Sequence, residues 1–520
     1  MAKRFGRALC WFVWAALFLT KISTWEIHAA GVTLITHGAQ LNNAYPDWLD
    51  AMGEAIARRA GPSTAIVHLE IAPNSSGGLK IDSMRLEGGI FPSQGSENGE
   101  VVIKVFWHEA AGLTDPYTTA QVAQAVLPFL VEPVNWGNQV ATPVFSELPL
   151  HLVGHSRGGS VMAELCRLLG GHGIWVDHLT TLDPHPLSAD DCLGLLCPVV
   201  FDPEARIFEN VIFADNYREK DDSGLLVDIS GYHIDGTAEL DLTPRFDRDG
   251  LDDSNNSDHL EVHDWYHGTI DWTATSVAGA PIPRAAWYNT NDIGFSFSLI
   301  GGETAFRFQQ QTNYSGTGLK WLGAPRVAAS SHAGSQWPNV ELESFSRKQT
   351  VHLGEIFPLQ LWFQNSLGTN AHAVSVELFF DADRNPYNNA GQAPVYAISD
   401  NSSSNAVQNL QIPWAVNAPI GKGFLLAKVS DANGRRFYYA PQALEVAAAT
   451  VRFSAISRQP DRTVSLRIAS EPNTSVTIQF SADLSSWTTL TNVITAAPET
   501  EIVDATAGRA SRRFYRASIP

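Results

Sequence analysis

Residues 148–170 read "LPLHLVGHSRGGSVMAELCRLLG". A short apolar run, Leu150 to Val153, enters a knot of glycines around Ser156, and leucines at helical spacing leave it. A nucleophilic serine needs an exposed hydroxyl, a base within hydrogen-bond reach and backbone donors for the developing oxyanion. Gly154 and Gly158 supply the first need if they let a strand turn sharply into a helix with Ser156 at the tip. With 40 glycines in 520 residues, chance alone gives the bare GxSxG pentapeptide in roughly one such chain in five. Context therefore has to carry the reading: "LHLV" is a credible buried strand, and Val161, Met162, Leu165, Leu168 and Leu169 give the following helix an apolar face.

Working outward, β-branched runs alternate with helical stretches. The strand candidates are "GVTLITHG", "STAIVHLEIA", "VVIKVFWHE", "LPLHLVGHS", "VDHLTTLDP" and "NVIFADNY". Between them "YPDWLDAMGEAIARRA", "TTAQVAQAVLPFLV" and "GGSVMAELCRLLG" have helix composition. This alternation predicts an α/β domain over residues 31–335, a mostly parallel sheet with helices on both faces. Several strands end on polar clusters, and open α/β sheets bind ligands outside the strands' carboxyl ends.

After residue 335 the helices stop. Leu359, Leu361 and Phe363, then Val374, Val376 and Leu378, alternate as in half-buried strands, and Asn433-Gly434 stands where a tight hairpin needs it. Residues 336–448 are read as a β-sandwich of immunoglobulin or fibronectin type. Alternation of Val464, Leu466, Ile468 and of Val476, Ile478, Phe480 predicts a smaller sandwich over 449–520.

The Ser156 stretch resembles the nucleophile elbow of α/β-hydrolases, and the resemblance extends over about residues 31 to 275 in that superfamily's order of serine, acid, histidine. It implies an esterase- or lipase-like activity. "VTLITHGAQ" ends on His37-Gly38, similar to the turn that opens the oxyanion loop of lipases, which puts the backbone N–H donors on Ala39 and Arg157. Asp183, in "HLTTLDPHP", is similar to the acid of the pancreatic-lipase branch; Asp215, in "VIFADNYRE", ends the next strand and is the alternative. For the base, "SDHLEVHDWYHGTIDW" offers His259, His263 and His267 at spacings that put them on one helical face. The branch places its histidine just before the last helix, which favours His259, with Trp265, Tyr266 and Ile270 following it, and leaves His263 as the alternative. The terminal run "VTIQFSADLSSWTTLTNVI" to "RRFYRASIP" resembles the β-sandwich repeated on many large secreted bacterial proteins and implies display or attachment.

No cofactor or metal is called for. "HLEVH" sets Glu261 one place late for a zinc-protease helix. "FDRDGLDDSNNSD" (Asp247, Asp249, Asp252, Asp253) and "DADRNPYNN" (Asp381, Asp383, Asn385) raise calcium, but neither completes an EF-hand loop and solvated turns are expected. Residues 1–30, with Lys3, Arg4 and Arg7 before an apolar run from Ala8 to Leu19, read as a secretory signal peptide. Removing that segment takes away four basic residues and one acid, so the formal charge goes from −19 to −22. So acidic a chain repels nucleic acid. In an oxidising compartment Cys192 and Cys197 are placed to bridge within one loop, with Cys166 on a helix, although three free thiols remain an open alternative. The expectation is a secreted or surface serine hydrolase acting on a small or lipid ester, with contacts to a cell surface or matrix through the sandwiches. The rival is a surface binding protein built on an inactive hydrolase scaffold.

Overall fold

A computed structural model describes residues 30–40, 43–92, 99–134, 136, 144–191, 197–220, 229–251, 255–289, 294–302, 337–344, 350–366, 373–389, 391–400 and 407–519. The expected signal segment up to residue 29, Cys192, Asp252, Asp253 and residues 303–335 lie outside the described residues.

The N-terminal half is built on one eight-stranded sheet. Its strands are β1 (Ala30–Thr36), β2 (Ala65–Pro73), β3 (Leu79–Gly88), β4 (Gly99–Phe106), β5 (Leu150–His155), β6 (Val176–Leu182), β7 (Val211–Arg218) and β8 (Ala238–Asp241). The order across the sheet is β3-β2-β4-β1-β5-β6-β7-β8, and every pairing except β2 with β3 is parallel. Ala30, the first described residue, is already part of β1 and is buried. Four longer helices flank the sheet: α1 (Asp47–Ala60), α2 (Thr119–Val131), α3 (Arg157–Gly171) and α4 (Asn255–Ile270).

Alternation within the strands divides the interior into two cores. Val101, Ile103 and Val105 face one side with Val122 and Val126 of α2 and Met162 and Leu165 of α3. Val102 and Phe106 face the other with Leu49, Met52 and Ile56 of α1 and Val262, Trp265 and Tyr266 of α4. A sheet covered on both faces buries whole strands, and β1, β4, β5 and β6 are buried at every position, polar residues included.

Among the described residues two pairs of mostly antiparallel sheets follow, the exception being the parallel pairing of Thr350–His352 with Arg435–Ala447. The first pairs a three-stranded sheet (Asn339–Ser344, Ile356–Gln364, Gln408–Ala415) with a five-stranded one that includes Val374–Asp381, Gly421–Ser430 and Arg435–Ala447. Leu359, Leu361, Phe363, Val374, Val376 and Leu378 meet in its core, as their alternation requires. The second has two three-stranded sheets closing on Leu466, Ile468, Val476 and Ile478. The sequence does not announce how intimately the first pair joins the large sheet. Phe379, Phe424, Leu426, Phe437 and Tyr439 belong to the same apolar cluster as Val101 and Ile103. Arg436 donates to the Trp175 carbonyl and to Asn339 Oδ1, and Tyr438 reaches Asp177, at the amino-terminal edge of β6.

The "DADRNPYNN" loop lies in this seam. The Asn385 amide donates to the Pro92 carbonyl at 2.9 Å, Asp381 accepts from the Tyr439 hydroxyl, and the Arg384 guanidinium lies 4.1 Å from the Phe424 ring centroid. The loop is thus an inter-sheet joint rather than the solvated turn its composition suggests.

Candidate active site

β1, β5, β6 and β7 are neighbours across part of the sheet, and the first residue beyond each carries chemistry: His37, Ser156, Asp183 and Glu219. Ladder register holds these ends level. Thr36 pairs with Gly154, His155 with Leu182 and Leu182 with Tyr217, and the ladders continue as Ser156 N–H to Leu182 O (2.9 Å) and Asp183 N–H to Tyr217 O (2.7 Å).

Ser156 has φ 57° and ψ −128°, a conformation that costs a non-glycine residue about 1–3 kcal/mol. The surrounding glycines are required by close approach. A Cβ on Gly154 would lie 2.1 Å from the Gly158 carbonyl, one on Gly158 would lie 2.5 Å from the His37 carbonyl, and one on Gly38 would lie 2.3 Å from Ser156 Cβ. The β1 loop therefore rests directly against the serine.

That loop is fixed from behind. His37 Nδ1–H donates to Gly38 O at 2.8 Å, and its Nε2 accepts the Trp107 backbone N–H at 3.0 Å. Burial pulls the His37 pKa down to about 3, so it is a neutral brace. Ala39 N–H makes no backbone hydrogen bond among the described residues, and Arg157 N–H lies in the first turn of α3, where helical amides have no intrahelical partner. The Arg157 side chain turns away from the serine. Its Nε and Nη2 pair with Asp202 at 2.8 and 3.1 Å, and its other donations go to the carbonyls of Ala111 and Tyr117.

Asp183 has φ 47° and is fully buried. Its Oδ2 accepts from His259 Nδ1 at 2.5 Å and its Oδ1 accepts the Glu219 N–H at 2.7 Å. Burial raises its pKa, with the His259 bond opposing. Gly231 closes over this carboxylate; a Cβ there would lie 2.1 Å from Oδ1. His259 stands within the first turns of α4 rather than before the helix, a correction to the expected placement. Ser156 Oγ makes no hydrogen bond to it among the described residues; in serine hydrolases that bond tightens on engaging substrate.

Both alternatives are placed elsewhere. Asp215 lies inside β7, three residues short of its end, where it accepts from His178 Nε2 and the Tyr217 hydroxyl, both at 2.9 Å. It belongs to a core network with Thr180 and His151, not to the strand end. His263, one turn beyond His259, stacks on Trp48 with ring centroids 4.2 Å apart. Trp265, Tyr266 and Ile270 are buried in the core below, as the spacing requires.

Sequence reasoning missed two residues. His155 precedes the serine, and its Nε2–H donates to the His259 carbonyl at 2.8 Å, tying elbow to helix; burial holds its pKa well below the usual value. Glu219 closes the stretch "VIFADNYRE", from which the sequence reading took Asp215 instead. Among the described residues, Asp183, Glu219 and His259 converge within 4.8 Å, and so do Asp50, His68 and Glu87, although the Lys104 ammonium already bridges Asp50 and Glu87. Cys197 is disulfide-bonded and Cys166 is a free, buried thiol.

No family model and no curated protein matches the chain. Among solved structures, a provisionally assigned cell surface hydrolase of Lactobacillus plantarum WCFS1 is similar at 11% identity over 36% of this chain and 67% of its own, with a TM-score of 0.23. A CARDB domain from Pyrococcus furiosus is similar at 11% identity over 22% of this chain and 95% of its own, with a TM-score of 0.15. A tandem repeat from the extending region of a large adhesion protein is similar at 12% identity over 35% and 48%, with a TM-score of 0.14. At these scores no argument rests on any of them; the eight-stranded, mostly parallel sheet followed by all-β sheets stands on its own topology.

Proposed function

We propose that this chain is an exported serine hydrolase of α/β-hydrolase type that cleaves a carboxylic ester through an acyl-enzyme on Ser156. One observation carries the reading: a strained serine and a buried aspartate that holds a histidine follow adjacent parallel strands at the same edge of the sheet. His259 Nε2 takes the Ser156 proton as Oγ bonds the ester carbonyl carbon. The N–H groups of Ala39 and Arg157 hold the oxyanion, and Asp183 fixes the tautomer and stabilises the imidazolium. His259 then gives its proton to the departing alcohol, and water, activated by the same nitrogen, releases the acid.

A cavity of about 510 Å³ lined by Gln40, Tyr45, Trp48, Leu260 and His263 adjoins the oxyanion loop and α4 and suits an apolar group of the substrate. Asp47 and Asp264 on its wall disfavour an anionic one. The small terminal sandwich exposes Ile456, Leu484, Ile494 and Phe514, which favours a role in surface attachment.

A fluorophosphonate probe tests the reading. Labelling of the wild type at neutral pH, abolished by Ser156→Ala, is expected. A folded wild type that does not label would overturn it in favour of a binding scaffold.

A further inference from the structure

Glu219 has no part in the mechanism above, yet it is fully buried beside it. Its backbone N–H donates to Asp183 Oδ1 at 2.7 Å, and its carbonyl accepts the N–H of Gly231, the residue that closes over Asp183. A carboxylate oxygen of Glu219 lies within 4.8 Å of both an Asp183 oxygen and a ring nitrogen of His259. Two adjacent strands thus each deliver a carboxyl group to one imidazole, Asp183 from the end of β6 and Glu219 from the end of β7.

We propose that Glu219 is a second acid of this site, a positioning residue that shares His259 with Asp183 and takes over the imidazole when Asp183 is removed. The catalytic consequence rests on the serine-hydrolase reading.

Two buried carboxyls this close do not both ionise beside a neutral imidazole, because each charge is desolvated and repelled by the other. The pair therefore holds one proton and one negative charge. Asp183, whose Oδ2 meets His259 Nδ1, is the carboxyl placed to carry the charge, which leaves the proton to Glu219. When Asp183 is lost, Glu219 has no competing anion and ionises. The other charged groups around it leave that exchange intact. His185, on the loop after β6, is paired with Asp191; Arg218, at the end of β7, is paired with Glu239; and His155, on β5, is held neutral by burial.

The test compares wild type, Glu219→Gln, Asp183→Ala and the double variant, with Asp183→Asn replacing Asp183→Ala in both if the alanine variant does not fold. Two quantities are read in each: the fluorophosphonate labelling rate, and the titration midpoint of His259 by NMR of histidine-labelled protein. Complete loss of the acid from a serine triad costs about 10⁴-fold. Asp183→Ala is expected about 10²-fold down and the double variant about 10⁴-fold down. The His259 midpoint is expected about one pH unit higher in Asp183→Ala than in the double variant. Equal rates and equal midpoints in those two would overturn the proposal while leaving the hydrolase reading intact. A wild type that does not label, but whose His259 midpoint still depends on Glu219 once Asp183 is gone, would overturn the hydrolase reading and support the sharing of His259.

Discussion

Gly38→Ala probes the packing of the oxyanion loop on the serine. The added carbon would lie 2.3 Å from Ser156 Cβ and 2.7 Å from its Oγ. Non-bonded carbons rest about 3.5–4.0 Å apart, so loop and elbow must separate by roughly 1 Å. Neither side yields easily. The loop is braced through His37 and Trp107, and the elbow is bonded to the Leu182 carbonyl. Overpacking of this kind costs on the order of 1–3 kcal/mol of stability, which a chain of this size tolerates. On the serine-hydrolase reading the rate is less forgiving, since about 1 Å of misplacement between the proposed donors and nucleophile costs on the order of 10²-fold. The assay is the second-order rate of fluorophosphonate labelling, with a calorimetric melt on the same sample to separate misplacement from unfolding. Gly88→Ala is the control, because its Cβ would meet only Ile66 Cδ1 at an ordinary 3.7 Å. A folded Gly38→Ala that labels within threefold of wild type would refute the claim that this glycine sets the geometry of the site.

Two further outcomes concern stability. Burial raises the Glu100 pKa from 4.5 to about 8, partly opposed by the Thr33 hydroxyl and by Arg384. The folded state therefore holds this proton more tightly than the unfolded chain, and its contribution is fully present below pH 4.5 and lost as pH rises to about 8. Each pH unit in that window costs about 1.4 kcal/mol, so Glu100→Gln should flatten the fall in urea-unfolding free energy between pH 5 and 8; an unchanged slope would contradict the assignment. Asp202 accepts the Arg157 guanidinium and the backbone N–H groups of Thr119 and Leu187. Asp202→Asn strands a buried cation and should cost about 3–5 kcal/mol in denaturant unfolding, and a loss below about 1 kcal/mol would show that the pair is dispensable.

Much of this arrangement was legible in the chain because the rules involved are local. The elbow was readable since a strained strand-to-helix turn needs glycine at positions 154 and 158, and the helices since their apolar faces repeat at helical spacing. Asp183 was singled out by its place after the strand that follows the helix at Ser156, and it is bonded to His259. Asp215 was misread as a strand end because a strand buried on both faces has no polar alternation to mark its limits, and β7 runs on through Asn216, Tyr217 and Arg218. Glu219 stood at the end of the same stretch but was passed over, because its burial follows from the long-range packing around Gly231 and leaves no local mark in sequence. The edge strand β3 was not among the expected strands, although "LKIDSMRLEG" partly alternates. Long-range placement, such as His155 against the His259 carbonyl, leaves no local trace in sequence.

The apolar continuity between the large sheet and the first sandwich bears on how the chain can be divided and inherited. Cutting near residue 335 would expose Val101, Ile103 and their neighbours where Phe379, Phe424 and Phe437 now cover them, so neither fragment would keep a closed interior. Residues 30–447 should melt as one cooperative unit. The terminal sandwich has a separate small core and joins through the Glu355–Thr474 bridge, so it can unfold, be proteolysed or be exchanged for another module without disturbing the serine.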